Sequence, residues 1–167
     1  VSGSCTGWCY GEDSTLVDWG KLVSKLNKPR TERLATFHRE IFCLLDELRP
    51  DIVLIEKPYL GRNSNVLVSL SKFIAAVEIA VHDSLTISVK DEWMIDPKLV
   101  KKTLGLRKTK GTTAKKYQNN KLQMVKKINS LYGLRLKYDP KKSKNYNDDD
   151  IADAIGIFTT WCMLHDS

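Results

Sequence analysis

Acidic side chains are nearly missing from one stretch of this sequence: between Lys98 and Lys144 a single carboxylate, Asp139, stands among sixteen lysines and arginines. Thiols are few as well. Four cysteines (Cys5, Cys9, Cys43 and Cys162) include no Cys-x-x-Cys pair and fall short of the density of a disulfide scaffold, which fits reduced thiols in a cytosol. Cys5 and Cys9 are four apart with no histidine nearby, a poor basis for a zinc site. No apolar run approaches the roughly 20 residues of a membrane-spanning helix. The longest candidate, Val66 to Val81, is broken by Ser69, Ser71, Lys72 and Glu78. The opening residues do not resemble a signal peptide. These absences exclude membrane-spanning, collagen-like and small secreted classes and leave a cytoplasmic protein with no membrane partner as the expectation.

What is present is enough for a packed core. The chain has 167 residues, 42% of them apolar and 28% charged, which predicts a single domain over 1–167. The net charge of +7 is unevenly spread, since the segment from Lys98 to Lys144 carries +15 and the remaining residues −8. A lysine-rich helix can be a solvated face. Fifteen uncompensated charges in one segment nevertheless repel one another, and a phosphate backbone relieves that repulsion while releasing counterions. An acidic membrane surface fits less well, because the segment has no Trp or Phe to anchor at an interface.

Periodicity predicts strands over 1–10 and 15–19 joined by a turn at Gly11 to Ser14, and a helix from Thr31 to Leu48 closed by Pro50. The run Ile52-Val53-Leu54-Ile55 has the length and composition of a strand buried on both faces. A helix capped by Asn63 or Ser64 runs to about His82, and Leu85 to Val89 reads as another short strand. Asp96-Pro97 starts a further helix, because aspartate caps and proline is tolerated in the first turn. Ala114 to Tyr132 forms a basic amphipathic helix ended by Gly133, and Asp148 to Leu164 the last helix. Strands alternating with helices in this order predict a mixed α/β sheet covered by helices. The four tryptophans are assigned to the core, and the three histidines to helix surfaces and ends.

Three acids stand out by position. Glu56 follows four apolar residues, so its carboxylate emerges at the carboxyl end of a central strand, where α/β sheets place ligands. Asp150 and Asp153 share one helix face through their i, i+3 spacing. Carboxylates so arranged would hold hard divalent cations, with Mg²⁺ favoured by all-oxygen ligation and Mn²⁺ as a substitute. Asp148 and Asp149 read instead as ordinary helix-start acids that favour the dipole and cap free amides.

The ordered set of motifs resembles the RuvC-type Holliday junction resolvases of the ribonuclease H-like superfamily. Gly3-Ser4-Cys5-Thr6-Gly7-Trp8 looks like that family's first hairpin, and Val53 to Tyr59 is similar to its second carboxylate and the following turn. Asn63 to Val81 resembles its long central helix, and Asp150-Ile151-Ala152-Asp153-Ala154 matches its closing Asp-x-x-Asp-Ala motif. The compact length and lysine-rich segment look more like a bacteriophage member, which would act in the host cytoplasm. The resemblance implies a ribonuclease H-like mixed sheet flanked by helices, and two-metal hydrolysis giving 5′-phosphate and 3′-hydroxyl ends. It implies metal ligation by Glu56, Asp150 and Asp153, with Lys101 or its neighbour Lys102 close to the reacting phosphate. The family's first catalytic aspartate would fall immediately before Val1, so a preceding segment carrying it is expected. Tyr59 lies where the family places an aromatic that stacks on opened bases. Arg62, Asn63, Lys108, Lys110, Lys115, Lys116 and Lys121 complete the expected DNA contacts, and the last three compete for the place of a second active-site lysine.

Three functions follow as expectations. The first is a homodimeric resolvase making paired nicks in four-way junctions, its dimer formed through the helix from Ser64 to His82 with Phe73 as an outward position. The second is a broader nuclease for branched DNA such as forks and flaps. The third is a non-cleaving junction-binding module, favoured only where the first carboxylate is absent.

Overall fold

The computed structural model describes residues 4–58, 64–107 and 112–165. Strands β1 (Cys5–Glu12) and β2 (Thr15–Val23) pair through a two-residue turn at Asp13-Ser14. Both turn residues have positive φ, 43° and 63°, the conformation whose twist matches a tight antiparallel hairpin. β1 runs on through Gly11 and Glu12, and β2 extends past the expected end at Trp19 to Val23. Helix α1 (Arg30–Leu48), the short strand β3 (Ile55–Glu56), helix α2 (Ser64–Leu85), strand β4 (Met94–Ile95), and helices α3 (Pro97–Thr103), α4 (Thr113–Tyr132) and α5 (Asp149–His165) follow.

The chain divides into two compact units. The first holds residues Val1–Thr6 and Leu22–Asp96. Its core is a helix pair: Phe37, Ile41 and Leu45, one turn apart on α1, face Phe73, Ile74, Val77, Ala80 and Val81 of α2. Phe37 and Phe73 meet edge to face with centroids 5.2 Å apart. Phe73 is therefore interior, 1% exposed, and not the outward position expected of it; the exposed apolar residues of α2 are Val66, Val68 and Ile79. By length and composition Asn65–Leu85 could cross a membrane, but its buried face packs on α1 as a core helix does.

Two expected strands differ from the structure. Only Ile55 and Glu56 of the apolar run join a ladder, parallel to Met94 and Ile95. The partner strand cannot lengthen in either direction, because a 3₁₀ turn at Asp91–Trp93 precedes it and Pro97, which has no N–H, opens α3 after Asp96. Leu85 to Val89 is not a strand. The apolar period of α2 carries through Val81 to Leu85, and Thr86 then adopts φ 57° with its N–H donating to the His82 carbonyl at 3.0 Å, a left-handed helix end.

The second unit holds Gly7–Lys21 and Pro97–Ser167. Helix α5 buries Ile151, Ala152, Ile155, Gly156, Thr159 and Thr160. At Gly156 a methyl group would press on Met124 of α4, on Val100 of α3 and on Leu104 just beyond it, at 3.2–3.4 Å, so both helices close on α5 where it has no side chain. The Thr159 and Thr160 hydroxyls donate to carbonyls one turn back, and the Tyr132 hydroxyl meets Thr159 Oγ1 at 2.9 Å. Gly133 ends α4 at φ 66°, and the Asn129 side chain bonds both the N–H and the C=O of Leu136, fixing the chain beyond it. Burial, and secondarily the nearby Cys162, pushes the Cys9 thiol up to about 12.

Candidate functional site

Four aspartates at the start of α5 have different surroundings, because consecutive helical residues point about 100° apart. Asp148 receives the Lys21 ammonium at 2.9 Å and the Lys137 N–H at 3.0 Å, while its carbonyl accepts from Ala152. Asp149 is 3% exposed and ion-paired with Lys121. It is thus more than the helix-start acid its position indicated: its charge is buried and neutralised across α4 and α5. Asp150 is part-buried and faces Lys144, whose Nζ lies 3.1 Å from Oδ2 and 3.4 Å from Oδ1. Asp153 lies one turn further along α5 and is also part-buried.

The strand beside this turn leaves it no slack. A Cβ on Gly7 would fall 1.9 Å from the Asp150 carbonyl oxygen and 2.5 Å from the Ile151 nitrogen, so β1 touches the α5 backbone directly. Any side chain at position 7 would push the first turn of α5 away. The Thr6-Gly7 pair was legible as a motif, whereas its role in seating Asp150 was not, since the contact joins residues far apart in sequence.

In the first unit Glu56 ends β3, part-buried, in register with Ile95, and the next N–H, that of Lys57, donates to the Ile95 carbonyl at 2.8 Å. Its position at the carboxyl end of a parallel strand is the one expected from sequence. Among the described residues no three His, Cys, Asp or Glu side chains converge as a ready-made metal cage. The donors on α5 nonetheless suit a magnesium-type ion, which takes one or two carboxylates and completes its shell with water and substrate phosphate. A cation already sits on Asp150, the Lys144 ammonium.

Of the basic candidates, Lys101 and Lys102 are exposed near the end of α3, and Lys115 and Lys116 are exposed at the start of α4. Lys121 does not belong with them. Its side chain is only 11% exposed and committed to Asp149, so it braces two helices and does not reach out to phosphates. Tyr59, Arg62, Asn63, Lys108 and Lys110 lie outside the described residues. Lys144 was missed by sequence reasoning, which counted it only within the basic segment from Lys98 to Lys144.

Comparison with known proteins bears on the fold and the family. The chain superposes on a structure of "T. thermophilus RuvC in complex with Holliday junction substrate" with a TM-score of 0.69 and 17% identity, covering 98% of this chain and 92% of that one. A second Thermus thermophilus RuvC structure gives a TM-score of 0.59 at 18% identity, over 92% of this chain and 82% of that one. The fold is therefore the ribonuclease H-like fold of RuvC. Curated RuvC crossover junction endodeoxyribonucleases from two strains of Chloroflexus aurantiacus are 27% identical over 82 residues, 45% of this chain. The chain spans about half the length of these relatives. The family model described as "Crossover junction endodeoxyribonuclease RuvC" matches residues 9–161, which include Glu56, Asp150 and Asp153 and take in nearly all of both compact units. With its strand-end glutamate and its helix-borne aspartate pair inside that match, the chain belongs to the RuvC family.

Proposed function

We propose that the protein is a divalent-metal-dependent endonuclease of the cytoplasm that cuts branched DNA, four-way junctions above all, as a homodimer making paired nicks. The observation that carries this reading is the α5 carboxylate pair, with Asp150 half-sheltered, seated against β1 at Gly7 and already neutralised by a cation. The family resemblance adds Glu56 as a third carboxylate, and oxygen donors of this kind favour Mg²⁺, with Mn²⁺ as substitute. A divalent ion held by Asp150 and Asp153 would supply an activated water and charge neutralisation at the scissile phosphate, and hydrolysis of that kind would leave 5′-phosphate and 3′-hydroxyl ends.

The chain's own side chains do the rest. Glu56, Asp150 and Asp153 fix the position of positive charge at the reacting phosphate. The exposed Lys101 and Lys102 attract the backbone on either side, and Lys115 and Lys116 add sequence-independent affinity that falls with salt. The surplus of +15 between Lys98 and Lys144 favours a polyanion over that segment. A second copy could pack on the face of α2 that carries the exposed Val68 and Ile79.

Nicking of labelled four-way junctions, forks and linear duplex in Mg²⁺ and in EDTA tests the reading. Symmetric cuts in the junction, dependent on Mg²⁺, are expected. Equal cutting of forks would widen the substrate class, and tight junction binding with no cutting in either Mg²⁺ or Mn²⁺ would leave a binding module.

A further inference from the structure

The loop before α5 is built more firmly than a lysine-rich connection requires. The Asn147 side chain, 6% exposed as a residue, accepts the Asp139 N–H at 2.7 Å and donates to the carbonyls of Asp139 and Lys142 at 3.1 and 3.4 Å. The N–H groups of Tyr146 and Asn147 both donate to the Ser143 carbonyl, and Lys21 Nζ holds the carbonyls of Asn145 and Asn147 at 2.8 Å. The backbone at Lys144 is thereby held on both sides, while its side chain, 45% exposed, reaches Asp150 from the solvent side.

From this arrangement we infer that Lys144 is a tethered counter-cation that sets the metal affinity of the α5 carboxylates by competing for Asp150. The inference rests on the metal-site reading above. With no divalent ion present, the ammonium balances the Asp150 charge, which a part-buried carboxylate beside Asp153 needs. A divalent ion that takes an Asp150 oxygen must displace or share that ammonium, and the cost of separating the pair enters its dissociation constant. The displaced ammonium stays on the same fixed loop, where an incoming phosphate gives it a new partner. Metal loading is thus weak on the protein alone and strengthened by DNA.

Titration calorimetry of the full chain with Mn²⁺ alone, without DNA, tests this. Lys144→Met should bind Mn²⁺ about three- to ten-fold more tightly than the parent, the range set by a partly sheltered ion pair. Lys144→Arg, which keeps the cation, should bind like the parent, and Asp150→Asn should lose the difference between Met and Lys at 144. Unchanged or weaker Mn²⁺ binding by Lys144→Met, in a parent that does bind the ion, overturns the role of Lys144 and leaves the metal site standing. A parent that binds no Mn²⁺ at millimolar concentration overturns both readings.

Discussion

Lys121 and Asp149 form a buried ion pair, with side chains 11% and 3% exposed, that joins α4 to α5 one residue before Asp150. Removing one partner strands the other charge inside the protein, so Lys121→Met should destabilise the fold by about 3–5 kcal/mol in urea unfolding. The double variant Lys121→Met/Asp149→Leu should recover most of that loss, because it removes both charges together. Cys9 gives a second residue-scale expectation. Burial raises its thiol from 9.0 to about 12, so the folded state favours the neutral thiol. The stability it contributes is complete below pH 9 and is lost as pH rises from 9 toward 12, where the unfolded chain ionises first. Thermal melts across that range should show a shallower alkaline decline for Cys9→Ala than for the parent. At this scale the sequence disclosed residue types and spacing but not partners. Asp150 and Asp153 were legible through their i, i+3 period. The pairing of Lys121 with Asp149, and of Lys144 with Asp150, depends on how the loop and helices pack, which leaves no local trace.

At the scale of elements, the strongly periodic segments were legible and the short pieces of sheet were not. α1, α2, α4 and α5 each carry an apolar stripe long enough to fix type and approximate ends. β3 and β4 have two residues apiece, and their extent is decided by the 3₁₀ turn and Pro97 around β4, not by the apolar run of 52–55. The end of α2 was misplaced because a β-branched residue, Thr86, occupies a left-handed position that usually signals glycine or asparagine. That strain is removable. Thr86 is exposed, and its N–H bond to His82 survives substitution, so Thr86→Gly should raise stability by about 0.5–1 kcal/mol after glycine's own entropy cost. A higher midpoint in urea unfolding with unchanged slope would be the sign.

For the whole molecule, the order of motifs along the chain identified the family, and the +15 segment pointed to a polyanion. The proposed assembly rests on α2, where Val68 and Ile79 are exposed on one face. Val68→Glu/Ile79→Glu should sediment as a monomer at micromolar concentration, where the parent sediments as a dimer, and should nick one junction strand without the paired second cut. The claim that Glu56, Asp150 and Asp153 together are the metal-binding catalytic carboxylates is tested most directly by separating binding from cutting. Glu56→Gln and Asp153→Asn keep the shape of the site and remove a charged ligand. In gel shifts with Ca²⁺ both should hold four-way junctions as tightly as the parent, because affinity rests on the lysines. In Mg²⁺ both should cut them at least about a hundredfold more slowly. Cutting at the parental rate by either variant would contradict the assignment.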